Sequence, residues 1–172
     1  MKILIDARIY GPEHAGNGRY TMNLVENLAK IDKVNKYVIL LRKDKLGINL
    51  PKSWQKVKAD FRHYSFSEQL YLPFLISKYK PDIVHFPHFN VPLFYFGRFI
   101  VTIHDLIMHK FIGGEATTRP FPIYQIWRLG YYISFAKAVM GSVRIIVPSS
   151  VIKNELVNCY KIKNEKVEVI YE

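Results

Sequence analysis

Short, nearly continuous runs of Val, Ile and Leu recur along this chain. Longer stretches separate them, in which apolar residues return every three or four positions. The runs are "KILIDA" (2–7), "KYVILLR" (36–42), "DIVHF" (82–86), "FIVTIHD" (99–105), "RIIVPSS" (144–150) and the closing "KVEVIYE" (166–172), with "QKVKADFRHY" (55–64) a weaker one. Runs of that length and content predict strands buried on both faces. The stretches between them predict helices. One covers residues 18–31, with Tyr20, Leu24, Leu28 and Ile31 on a common stripe. A second, "SEQLYLPFLISKYK" (67–80), is capped by Ser67 and carries Pro73 in its first turns or at a kink. A long aromatic helical region covers 120–140, and a last helix 150–160. Strand and helix alternate without an internal linker, which predicts one α/β domain over residues 1–172, its parallel sheet covered by helices on both faces.

Composition sharpens this picture in three places. The chain has 172 residues, 49% of them apolar, enough for a sizeable core. Its net charge is +11, and the segment Lys30–Arg62 holds ten Lys/Arg against Asp32, Asp44 and Asp60. Such a patch attracts anions: nucleic acid, acidic lipid head groups or phosphorylated substrates. A solvated basic face explains it equally well. No nucleic-acid motif accompanies the charge, and the basic residues are not interleaved with stacking aromatics, so nucleic acid is not expected as a partner. The single cysteine, Cys159, allows no internal disulfide and fits a reducing, cytoplasmic setting; its apolar surroundings predict a packing role. Asp6 interrupts the first apolar run too early for a signal peptide. The longest apolar-rich stretch, 121–140, is broken by Pro122, Arg128 and Lys137 and does not read as a membrane span.

The first strand-to-helix connection, "YGPEHAGNGRYTMNL", holds Gly16 and Gly18. A glycine loop at a helix N-terminus can cradle a phosphate, because free N–H groups point at the anion and no Cβ keeps the backbone away. The dinucleotide fingerprint is not met, since Thr21 stands where the third glycine belongs. No acidic residue ends the second strand, and no Gly-Lys-Ser/Thr follows, so neither a dinucleotide site nor a P-loop is predicted. A plain turn that needs glycine for geometry is the competing explanation.

Polar chemistry also follows three other strands. "DIVHFPHFNVP" brings His85, His88 and Asn90; "VTIHDLI" brings His104 and Asp105; "IIVPSSVIKNEL" brings Ser149, Ser150 and Lys153. Ligands of open parallel sheets bind at the carboxyl ends of the strands, so these groups are expected along one edge. His104 and Asp105 could act as a general base or bind a sugar hydroxyl. The alternative is a buried, hydrogen-bonded His104 and an Asp105 that caps the next segment. His85, inside its strand, reads as core or as support for the site. His85 and His88 diverge at a strand-to-loop turn, so no metal site is expected.

Taken in order, "MKILIDARIYGPEHAGNGRYTMNLVENLAKID", "PDIVHFPHFNVP", "VTIHDLI", "RIIVPSSVIKNEL" and "KVEVIYE" resemble the N-terminal half of the family 4 glycosyltransferases, which have the GT-B fold, and among them the mannosyltransferase-like branch. The resemblance implies a Rossmann-like acceptor-side domain, whose partner is a C-terminal domain that holds most of the nucleotide-sugar and a pair of glutamates. It implies that Gly16, Asn17, Gly18 and Arg19 lie at the donor diphosphate and that His104 and Asp105 face the transferred sugar. His88, Asn90, Ser149 and Lys153 would line the acceptor side of the cleft. The reaction it implies is glycosyl transfer with retention. The nucleotide-sugar is a substrate rather than a cofactor, no metal is bound, and the leaving group is stabilised by cations and helix dipoles. Mannose from a guanosine diphosphate donor is the branch's commonest case.

Three departures accompany the resemblance. The family's Gly-Gly-Ile-Gly-Arg-Tyr is here Ala15-Gly16-Asn17-Gly18-Arg19-Tyr20, with Asn17 expected to tolerate left-handed geometry. The Ser-Glu after the sixth strand is here Ser149-Ser150, which loses an acid. The 172 residues are about half of a two-domain enzyme, so the donor half is expected in cis or in trans and this chain alone is expected to be inactive. A glycan or lipid-linked acceptor is the implied partner. A non-catalytic module that docks on an anionic membrane surface is the alternative, suggested by the basic third and by "FPIYQIWRLGYYISF". There Tyr124, Trp127, Tyr131 and Tyr132 suit either a membrane interface or a core.

Overall fold

The computed structural model describes residues 1–107 and 121–171, with side chains throughout except at 121–124, 126 and 127. The elements run β1 (Lys2–Asp6), α1 (Ala15–Ile31), β2 (Lys36–Leu41), β3 (Gln55–Lys58), α2 (Phe66–Tyr79), β4 (Ile83–Phe86), β5 (Phe99–Thr102), α3 (Phe121–Gly141), β6 (Arg144–Val147), α4 (Ser150–Tyr160) and β7 (Val167–Val169). They form a seven-stranded sheet in the order β3-β2-β1-β4-β5-β6-β7. Every pairing is parallel, as in Ile5 opposite Ile39 and His85, and Val101 opposite Ile145. The order reverses between β1 and β4, which opens a crevice above their carboxyl ends.

Alternation along the strands divides the core into two layers. Leu4, Leu40, Val84, Phe86, Val101 and Val147 face one side, where α2 adds Leu72 and Ile76, α3 adds Phe135 and Ala138, and α4 adds Leu156. Ile5, Ile39 and Leu41 face the other and meet Val25 of α1 and the stacked rings of Tyr37 and Trp54. The expected α/β sheet with helices on both faces is therefore observed.

Several local expectations are corrected. α1 begins three residues earlier than the pattern predicts, and its buried stripe is Gly18, Thr21 and Val25 rather than the one through Tyr20 and Ile31. Ile31 is exposed, and Gly18 packs instead on the backbone of Ile9 and Gly11. Ser65, not Ser67, caps α2: its hydroxyl accepts the N–H of Glu68. The strands that begin near positions 55, 99, 144 and 166 are shorter than their apolar runs, and past the first three the chain turns into segments that carry polar side chains. Cys159 is exposed. It lies off the α4 stripe of Ile152, Leu156 and Tyr160 that packs on the core. The basic third forms the β2–β3 edge, where Lys36, Arg42, Lys56 and Lys58 are exposed. Lysines on an edge strand discourage pairing with another chain. Among the described residues no helix is long and apolar enough to cross a membrane.

Candidate functional site

β1, β4, β5 and β6 are neighbours in the sheet, so the four strand ends singled out by their polar residues share one edge. After β1 the chain makes a 3-10 turn, Pro12–His14, and α1 opens at Ala15 with no side-chain cap from His14. Gly16, Asn17 and Gly18 thus belong to the first turn of the helix rather than to a loop. The positive φ angles fall on Gly11 (133°) and Ala15 (52°), not on Asn17, so the left-handed geometry expected at Asn17 is not used. The Asn17 carbonyl accepts from the Thr21 hydroxyl. Gly18 is required for close approach: a Cβ there would collide with the Gly11 carbonyl oxygen and lie 2.7 Å from His14 Cβ. Around Gly16 there is open space. Arg19 is exposed beside them.

One helical step further, Tyr20 connects this helix start to the end of β5. Its ring meets that of His104 edge-on at 4.7 Å, and its hydroxyl is 3.0 Å from Thr102 Oγ1. Thr102 Oγ1 in turn lies 2.9 Å from His85 Nε2, so His85 is a buried support, as its place in the strand predicts. His104 Nε2–H donates to the Pro87 carbonyl at 2.9 Å, which ties the β5 end to the β4 end. Asp105 is exposed and its Oδ1 accepts the N–H of Ile107, the capping geometry weighed as the alternative. The His88 Nδ1 accepts the N–H of Asn90. Burial, then the nearby His104 and His63, push the His88 imidazole down to about 4, against the opposing pull of Asp6 and Glu68. Burial and His104 push His85 down to about 4 as well. Neither ring therefore carries positive charge into the crevice at neutral pH. Ser149 is spent on structure: its hydroxyl accepts the N–H of Ile152 and caps α4. The Lys153 side chain, half-buried, follows in the first turn of that helix.

Beneath the crevice lies a charge network that the sequence reading passed over. The Arg8 guanidinium is 1% exposed. It donates from Nε and Nη2 to the two carboxylate oxygens of Asp6, each at 2.7 Å, and from Nη2 to Glu68 Oε1 at 2.7 Å. Glu68, fully buried, also accepts from the Tyr64 N–H and from Asn90 Nδ2. Burial pushes its carboxyl up, but hydrogen bonding from His63, the charge and hydrogen bond of Arg8, and Asn90 outweigh it and hold the group at about 2. Burial pulls the Arg8 pKa down, and Asp6 and Glu68 more than offset it, so the guanidinium stays charged. The signal for this network was present: a carboxylate and an arginine two positions apart close the apolar run "KILIDAR", where charge is costly unless paired. Among the described residues no group of three or more His, Cys, Asp or Glu is gathered to hold a metal ion.

The sequence model of Glycosyltransferase Family 4 matches residues 15–172. The chain belongs to glycosyltransferase family 4. No curated protein matches it. The family 4 match begins at the first residue of α1 and runs through β7, so it takes in all four polar strand ends except the Asp6–Arg8 corner. The sheet and its helices are those of a Rossmann-like N-terminal domain of the GT-B fold.

Proposed function

We propose that this domain is the acceptor side of a retaining glycosyltransferase. It would pass a sugar, mannose in the branch it most resembles, from a nucleotide-sugar to a glycan or lipid-linked acceptor. The observation that carries the reading is the family match over residues 15–172 in a chain whose polar strand ends share one edge. The uncapped first turn of α1 would face the donor diphosphate. Its N–H groups and dipole, with Arg19, favour the negative charge that develops as the leaving group departs. His104, held by Pro87 and Tyr20, would face the transferred sugar with Asp105 at the rim. His88, Asn90 and Lys153 would meet the acceptor. The bulk of the donor contacts would come from a C-terminal domain, in cis or in trans, without which this domain would not turn over. The full-length protein is tested by release of nucleoside diphosphate from a panel of nucleotide-sugars in the presence of lipid-linked acceptors. His104→Ala is expected to lower turnover about 100-fold with the fold intact. Unchanged turnover overturns the role given to His104.

A second reading has its own observation. α2 buries Glu68, Leu72 and Ile76 and turns Phe66, Leu70, Tyr71 and Phe74 to solvent, Phe66 being 91% exposed. The Lys78 ammonium sits 4.7 Å from the centre of the Phe74 ring. An apolar helix face edged by cations suits a peripheral site on the anionic inner face of a membrane, where lipid-linked acceptors reside. The aromatic positions Tyr124 and Trp127 lie outside the described side chains, and Tyr131 is core. Sedimentation with vesicles should depend on anionic lipid and weaken in a Phe66→Ser/Phe74→Ser variant; binding indifferent to both removes this reading.

A further inference from the structure

A solvent-open cleft of about 390 Å³ lies at the amino edge of the sheet, across from the carboxyl edge that carries the candidate site. Its volume falls within the roughly 300–1,000 Å³ of small-molecule sites. The end of α3 contributes Met140 to its lining and the first residue of β6 contributes Arg144. The connection between α4 and β7 contributes Lys161, Lys163, Glu165 and Lys166. The register sets Ile145 opposite Val167, so Arg144 and Lys166 stand at neighbouring strand starts. Lys166 Nζ donates to the Met140 carbonyl at 2.9 Å and ties that connection to the last turn of α3.

The lining sets four cationic side chains against one carboxylate. Near the β2–β3 edge, Lys45 meets Glu13 at 2.7 Å and Lys58 meets Asp60 at 3.3 Å. No such pairing occurs in the cleft. Among the described residues Lys161, Lys163 and Glu165 make no ion pair and no side-chain hydrogen bond. Arg144 donates only to the carbonyl of its neighbour Val143, at 3.3 Å. Lys166 is half-buried, and burial pulls its ammonium below the ordinary lysine range. A neutral carbonyl supplies no counter-charge, so that ammonium still lacks one. Helix ends explain part of the cluster: Lys161 is the C-cap of α4, Lys166 answers an α3 carbonyl, and cations are favourable at both places. They do not explain Arg144 at a strand start or Lys163 ahead of the Asn164–Lys166 turn, both exposed. Such a lining selects an anion with several acceptor oxygens. A carboxylate presents two; a terminal phosphate presents three and carries about −1.5 to −2 charge at pH 7. The planar fork of an arginine suits two of those oxygens, and lysines reach others as point charges on flexible stems.

We propose that this amino-edge cleft binds a terminal phosphate group through Arg144 and Lys163, with Lys161 and Lys166 at its sides. The inference does not rest on glycosyl transfer, because the cleft lies across the sheet from the crevice and needs no donor domain. A soluble phosphomonoester and a phosphomonoester lipid head group present the same chemistry, and the experiment separates the two sources.

The ¹⁵N-labelled chain is titrated with inorganic phosphate and with glycerol 3-phosphate at constant ionic strength. In a second arm it is sedimented with phosphatidylcholine vesicles, with and without phosphatidic acid. The expected result is a saturable shift of the Lys161, Lys163 and Lys166 backbone amides with a soluble phosphate. Arg144→Gln/Lys163→Gln should weaken that binding about tenfold or more, as loss of two charge-assisted contacts would do. Both replaced side chains are exposed, so the thermal midpoint should not move. Lys30→Gln/Lys33→Gln, which removes as much charge at the end of α1, should leave the affinity within about twofold. No shift with either soluble phosphate, but sedimentation that needs phosphatidic acid and fails in Arg144→Gln/Lys163→Gln, also supports the site and assigns its phosphate to a lipid. Shifts that do not saturate, or binding that both double variants weaken alike, overturn the site and leave a solvated basic surface. Silence in both arms overturns it too. Neither arm requires sugar transfer, so each outcome stands whether or not the full-length protein proves to be a glycosyltransferase.

Discussion

At the β6–α4 corner the chain passes from strand to helix through Pro148 and Ser149, and the serine hydroxyl accepts the N–H of Ile152. At the β1–α1 corner, on the same edge of the same sheet, the helix opens at Ala15 with no side-chain cap. Gly18 is pressed onto the Gly11 carbonyl, and a buried guanidinium sits between two carboxylates below. The first corner consumes its own backbone donors and closes itself. At the second, the helix start lacks a side-chain cap and rests on a close glycine contact beside the buried charge network. The contrast lies in which strand end closes its helix with a side chain and which does not. Ser149 was a reasonable cleft residue by position, and its hydroxyl turns out to serve the helix.

Substitutions at the two corners rank this contrast. Arg8→Met should have the largest effect, about 3–5 kcal/mol of lost stability in urea unfolding, because Asp6 and Glu68 would be left buried together without a counter-ion. A loss below about 1 kcal/mol would mean that the charge network does not hold the β1–α1 corner. Acid should attack the same place. The Glu68 carboxyl is held at about 2 against an ordinary 4.5, so its contribution is complete above pH 4.5 and lost as pH falls toward 2. Urea midpoints measured across that window should fall in the wild type and much less in Glu68→Gln.

Gly18→Ala comes next, at about 1–3 kcal/mol, since the collision is with backbone that cannot swing aside. Ser149→Ala, at the other corner, should cost about 1 kcal/mol, the usual value of a lost helix cap. Gly16→Ala should be the smallest and of opposite sign. Its Cβ would enter open space, and a helical alanine in place of glycine stabilises by about 0.5–1 kcal/mol. If Gly16→Ala and Gly18→Ala lower the thermal midpoint equally, the two glycines are not distinguished by packing and the account of this corner fails.

The elements themselves were legible. β-branched runs separated by helical patterns can be satisfied only by a sheet covered on both faces, and strand type and order of appearance followed from that. The shared edge of His88, Asn90, His104 and Ser149 was also within reach, because parallel strands place all their carboxyl ends together. Helix rotation was not. α2 is apolar around most of its circumference, with Leu72 and Ile76 inward and Leu70 and Phe74 outward, so periodicity alone did not choose its buried face. α1 was placed on the wrong stripe for the related reason that its buried face includes Gly18 and Thr21, residues that hydrophobicity ranks low.

What the sequence by itself determined was the class of fold, the family, and which strand ends carry polar residues, since each depends on local pattern and residue order. What only the tertiary structure decided was the company those residues keep. His63 and Glu68 come from the β3–α2 segment and meet Asp6, Arg8 and Asn90 because the order reverses between β1 and β4 and α2 packs beneath that crossing. No local pattern encodes a contact across sixty positions. It exists because burying the apolar faces of β1, β4 and α2 brings those charges together, and burial cuts them off from water, so they pair with one another and with nearby backbone groups.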